Sequence, residues 1–145
     1  MRFRFESLLR LRKNQENMLQ REMGNINTHL VRQKDKLASL QNITAQSREE
    51  FNRRIAVNPD QNLLGVYHDF FRGSQVNNAK QAQVISEVEE RADSKREELN
   101  EAVKKRRILE ILEERHQFEV KREMQKREMA EMDEIASTRR MRDYL

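Results

Sequence analysis

Residues 57–65 read VNPDQNLLG and hold the only proline of a 145-residue chain. Pro59 has no N–H to donate, and its ring pushes Asn58 out of helical dihedrals, so a helix arriving from the N-terminus ends here. Asn58 suits an N-cap, Pro59 the first helical position and Gln61 the third, where its side chain completes a capping box. A second helix therefore starts almost at once, and the stretch predicts a tight reversal near 58–60.

Reading back from this break, steps of three and four from Phe5 meet Leu8, Arg12, Gln15, Leu19, Met23, Ile26, Leu30, Gln33, Leu37, Leu40, Thr44, Ser47, Phe51 and Ile55. Most are apolar, with two successive steps of four around Leu19, and the pattern predicts one helix over about 3–57. Gly24 weakens that helix by about 1 kcal/mol relative to alanine without ending it. Reading forward, LLGVYHDFFRG (63–73) is either part of a short helix over 60–72 or the first turns of a long one. From Ser74 to about 143 nothing breaks a helix. That segment carries Ile85, Val88, Ala92, Leu99, Ala102, Val103, Leu109, Leu112, Val120, Met124 and Ile135 at mostly helical spacing.

Two long helices with a short connection and no third helix bury their stripes only by running antiparallel. The expected fold is all-α: one domain over 1–145, a long antiparallel two-helix coiled coil with the C-terminal helix overhanging. Centring the turn at Pro59 sets Phe3 and Phe5 near Glu113 and Arg115 and leaves about thirty residues unpaired.

Composition agrees. Charged residues are 37% and hydrophobic residues 36%, with three glycines and no tryptophan, a profile of helix formers without a thick core. The absence of cysteine excludes disulfides and thiolate metal sites. No apolar run approaches the roughly 20 residues of a membrane span, and Arg2, Arg4, Glu6 and Arg10 interrupt the first segment, so a soluble, unprocessed chain is expected.

A net charge of +4 raises nucleic acid as a partner, but the signs alternate, with Glu87 before Arg91, Glu101 before Lys105 and Glu123 before Arg127. No nucleic-acid partner is expected. His29, His68 and His116 stand in no metal-binding spacing, and no Gly-rich phosphate loop or nucleophile elbow is present. Two paired helices offer no cleft to desolvate the carboxylates, so no enzyme, cofactor or metal is expected.

Three surfaces stand out instead. The basic, aromatic N-terminus falls beside RRILEILEERHQF (106–118) at the open end of the hairpin. Tyr67, Phe70 and Phe71 close the other end against Phe51 and Ile55, and two helices cannot cover three such rings completely. Met124, Met129, Met132 and Ile135 fall in the overhang, which would be marginal in water as a lone helix.

FRFESLLRLRKNQENMLQREM (3–23), the proline break, YHDFF (67–71) and KREMQKREMAEMDEIASTRR (121–140), with its MDEIA, together resemble the flagellar FliJ family of type III export proteins. The resemblance spans essentially the whole chain. It implies a protein similar in shape to the central stalk of rotary F-type ATPases, whose open end enters the pore of the hexameric export ATPase. Leu8, Leu9, Arg10, Arg12 and Lys13, with the last helix, would then contact the ring. It also implies binding to the cytoplasmic domain of the FlhA export gate through Leu40, Ile43, Tyr67, Phe70 and Phe71, and escort of export chaperones. The chain would be cytoplasmic and reach the inner membrane at the flagellar base only through those partners. Ile43 and Ser47 stand where the family pattern has tyrosines. The rival expectation is a homo-oligomeric coiled-coil scaffold unrelated to export, its overhanging helices paired between chains.

Overall fold

A computed structural model of the chain describes residues 2–145. It is all-α: α1, Glu6–Val57, and α2, Gln61–Tyr144, pair antiparallel as a two-helix coiled-coil hairpin, and α2 continues past the pairing. No helix is long and apolar enough to cross a membrane among the described residues.

The reversal works differently from the capping box expected at Asn58, Pro59 and Gln61. The Asn58 N–H still donates to the Arg54 carbonyl at 3.0 Å, so Asn58 closes α1 rather than opening α2. Asp60 is the cap: its Oδ1 accepts the Asn62 N–H at 3.1 Å and its carbonyl accepts the Leu64 N–H at 3.1 Å. A carboxylate at this position satisfies an orphan N–H and meets the positive end of the helix dipole. Gln61 is thus the first helical residue. Residues 61–72 are the opening turns of α2, which runs unbroken through Gly65 and Gly73 with no positive φ. At the other end α1 begins at Glu6, after a turn in which the Glu6 N–H reaches the Phe3 carbonyl at 3.3 Å.

The chain divides into two compact units, one of Met18–Leu99, the other of Met1–Asn17 with Asn100–Leu145. In the first, the α1 positions expected from spacing, Leu19 through Ile55, are all buried or half-buried. They face Leu63, Tyr67, Phe71, Ser74, Asn78, Gln81, Ile85, Val88, Ala92, Lys95 and Leu99 of α2. Near the turn both helices step by four, at 47–51–55 and at 63–67–71, which keeps the large rings on facing stripes. Val88 is 1% exposed, and burial on that scale stabilises by about 1.5–3 kcal/mol. Gln81 is buried too, because its Nε2 uses both protons, on the Gln33 carbonyl at 2.9 Å and the Gln33 Oε1 at 2.8 Å. Lys95 spans the same seam to Glu22 at 2.8 Å and reaches Glu98 at 3.1 Å. These hydrogen bonds, to Glu22 first and then Glu98, raise its pKa above the ordinary lysine value.

In the second unit Leu9 and Leu109 are buried at 4% and 7% exposure, and Glu16 is buried beside them. Arg106 bridges Glu16 on α1 and Glu110 on α2, the latter at 2.6 Å. Phe3 packs on His116, centroids 5.7 Å apart. The α2 stripe read from apolar spacing is corrected here: Leu112, Met124 and Ile135 are exposed, while Arg106, Glu113, His116 and Val120 carry the heptad along the seam. A guanidinium with two carboxylate partners tolerates partial burial where a lone charge would not, so the seam selects by register and pairing rather than by hydropathy alone. Every residue from 121 to 145 is exposed.

Candidate functional site

Two clusters are candidates for partner contact, one in each unit. Around the turn, Phe51 of α1 meets Tyr67 at a centroid distance of 4.9 Å and Phe71 at 5.9 Å, edge to face with the latter. Tyr67 and Phe71 are one turn apart on the buried face of α2. Phe70 points about 100° away from Phe71, packs its edge on that ring at 5.6 Å and remains 39% exposed.

Beside this cluster an open groove of about 800 Å³ is lined by Thr44, Arg48, His68, Phe71, Arg72, Gln75 and Asn78. The Arg48 guanidinium lies over the Phe71 ring, 5.4 Å from its centroid. Leu40 is one turn before Thr44, whose hydroxyl donates to the Leu40 carbonyl at 2.9 Å. Of the five residues expected at this end, Tyr67, Phe70 and Phe71 form one cluster. Leu40 is half-buried in the seam of α1, and Ile43 is 51% exposed beside it.

The cluster of the second unit is charged. Arg10 is exposed and approaches Glu6 at 4.0 Å, and Arg12, half-buried, donates to Gln15 Oε1 at 3.2 Å. Leu8 is half-buried, whereas Leu9 faces α2 and has almost no free surface. Lys13 is exposed, and its charge adds to the field on Glu110. The Arg106 hydrogen bond does most to hold Glu110 below the ordinary carboxylate pKa, with Arg107 assisting against partial burial. Arg106 is raised in turn, by Glu110 first and then Glu16. Phe3 and Phe5 meet edge to face at 5.9 Å, with Arg4 over the Phe5 ring.

Sequence reasoning passed over Arg48, Arg72, Glu16 and Arg106. For Glu16 and Arg106 the signal was present: Glu16 lies three residues before Leu19 and Arg106 three before Leu109, but the α1 stepping passed through Gln15 and the α2 stripe was drawn from apolar residues alone. Arg48 carried a fainter signal, an arginine with no acidic residue three or four positions away on its helix. Among the described residues no group of three His, Cys, Asp or Glu side chains is placed to hold a metal ion.

Neither a curated protein nor a solved structure matches this chain. The model of the flagellar FliJ protein family matches residues 1–143, and the chain belongs to that family.

Proposed function

We propose that this chain is a non-enzymatic component of the flagellar type III export apparatus, a stalk-like coiled coil that binds the ring of the export ATPase and links it to the FlhA gate and to export chaperones. The observation that carries the reading is the bare end of α2. Met124, Met129, Met132, Ile135 and Met141 are 58–71% exposed on the end of a helix that has no partner there among the described residues, a surface that a surrounding protein would cover.

Arg10 and Lys13, both exposed, supply the charge of the ring contact, with Leu8 and Arg12 half-available beside them. Leu9 supports the contact from the seam. The gate contact uses the exposed Ile43 and Phe70, with Leu40, Tyr67 and Phe71 as their backing. The chain acts in the cytoplasm and is held at the inner membrane through its partners only.

The test is the hexamer content and ATPase rate of the cognate export ATPase with wild type and with a variant carrying Arg10→Glu, Arg12→Glu and Lys13→Glu. Stimulation by wild type, and its loss in a variant that stays helical by circular dichroism, is the expected result. No effect of either protein on the ATPase ends this reading. The same exposed helix would then favour pairing between two copies of the chain, which sedimentation at several concentrations detects.

A further inference from the structure

The groove beside Phe71 holds two guanidinium groups, Arg48 and Arg72, that no carboxylate pairs with among the described residues. Arg48, His68 and Arg72 line it, and no carboxylate is among the lining residues. Other basic side chains find acids readily: Arg54 sits 2.8 Å from Glu50, and Lys95 and Arg106 each hold two carboxylates. Arg48 instead rests on the Phe71 ring, a contact that fixes the guanidinium while using none of its N–H donors.

We propose that this groove docks an acidic segment of a partner polypeptide, carboxylates engaging Arg48 and Arg72 while an apolar side chain lies against Phe71 and the exposed Phe70. The proposal rests on reading the turn end as a protein-binding surface and names the charge of what binds there. A paired guanidinium and carboxylate give directional, two-point recognition, and the adjacent rings supply the apolar area that charge alone lacks. A long polyanion fits less well. Glu49, Glu50 and Asp69 are exposed next to the groove-lining residues, so a continuous phosphate backbone would meet repulsion on leaving the groove, whereas a short acidic stretch would not.

The probe is a fluorescein-labelled peptide of repeating Glu-Glu-Phe, titrated with the full chain by anisotropy at about 50 mM salt, where screening is weak. Arg48→Glu with Arg72→Glu is compared with a charge-matched control, Arg32→Glu with Lys36→Glu, on exposed positions of α1 away from the groove. The expected result is at least about tenfold weaker binding in the groove variant, less than about twofold in the control, and weaker binding by poly-adenylate and tripolyphosphate than by the peptide. Equal losses in both variants, or preference for either phosphate polymer, overturn the proposal.

A parallel titration with the FlhA cytoplasmic domain separates the two readings. Gate binding that is lost in Phe70→Ala but kept in the groove variant, with the peptide no longer discriminating between the groove variant and the control, overturns the acidic-segment proposal and leaves the gate contact standing. An absence of gate binding in wild type, with the peptide still discriminating between the groove variant and the control, removes the gate contact and supports the groove.

Discussion

Phe51, Tyr67 and Phe71 join the helices beside the turn, while in the other unit Arg106 joins Glu16 across the seam and Glu110 on its own helix. Both clusters solve the same geometric problem, filling the space between two antiparallel helices, with opposite chemistry. Rings gain from area removed from water, a gain that is insensitive to salt and pH and forgiving of small shifts. An arginine between two carboxylates gains only in one register and one protonation state. The aromatic cluster therefore supplies strength beside the turn, and the ionic one supplies alignment in its own unit.

The difference is broken most directly at Phe51. Phe51→Ala removes the ring that both Tyr67 and Phe71 contact, and its expected cost is about 2–4 kcal/mol in urea unfolding, near the low end of buried phenylalanine truncations because the site is half-buried. The loss should be the same at low and at high salt. A strong salt dependence would mean that charge, rather than ring area, holds the turn.

A smaller effect of opposite sign is expected at Asn78. Its Oδ1 is buried without a hydrogen-bond partner in the seam that also holds Gln81. Asn78→Leu removes that unpaired acceptor and adds apolar contact, with an expected gain of about 1–2 kcal/mol measured by the same unfolding curve. Destabilisation would show that the amide is satisfied in solution and that the seam uses polar groups for more than alignment.

Smaller again is the cap. Asp60→Ala should cost about 1 kcal/mol, the usual value for an N-cap, while Asn58→Ala should change stability by less than half of that. Reversal of this order would return the capping role to Asn58. Thermal unfolding of the two variants decides it.

These residues also mark what could be read before the fold was known. From Leu19 to Ile55 the α1 seam was legible because eight of its eleven positions are apolar, and the occasional Gln33 or Thr44 did not hide the rhythm; nearer the N-terminus Phe5 is exposed, and the buried positions are Leu9 and Glu16, which the expected stepping passed over. The α2 seam was not, because Asn78, Gln81, Lys95, Arg106 and His116 hold the heptad while Leu112, Met124 and Ile135 lie outside it. Hydropathy ranks a side chain by its own solvation, but a seam ranks it by what it meets across the pair. Gln81 is buried because Gln33 faces it, and no single-helix pattern contains that fact. The cap was misread for a related reason: Asn58–Pro59 resembles a helix start locally, yet Asn58 is still bonded to Arg54. At the candidate sites, Phe70 and Arg10 were legible as exposed groups, whereas Leu9 looked equivalent to Leu8 until the seam took it.

The smallest effect tests the ionic cluster itself. Glu110 is held below its ordinary pKa, chiefly by the Arg106 hydrogen bond, so its folded form binds a proton less readily than the unfolded chain does. A depressed carboxylate contributes stability that is present above its unfolded value and is lost as pH falls through the lower folded value. Wild type should therefore lose more melting temperature than Glu110→Gln on acidification from about pH 6 to about pH 3, because the variant has no proton to take up there while every other carboxylate titrates in both. The difference should be modest, since water reaches part of the Arg107 side of the network and screens it. It should also shrink in high salt, whereas the Phe51→Ala loss does not. Identical acid profiles for wild type and Glu110→Gln would leave Arg106 bound through Glu16 alone, and the alignment attributed to a three-membered network would reduce to a single pair across the seam.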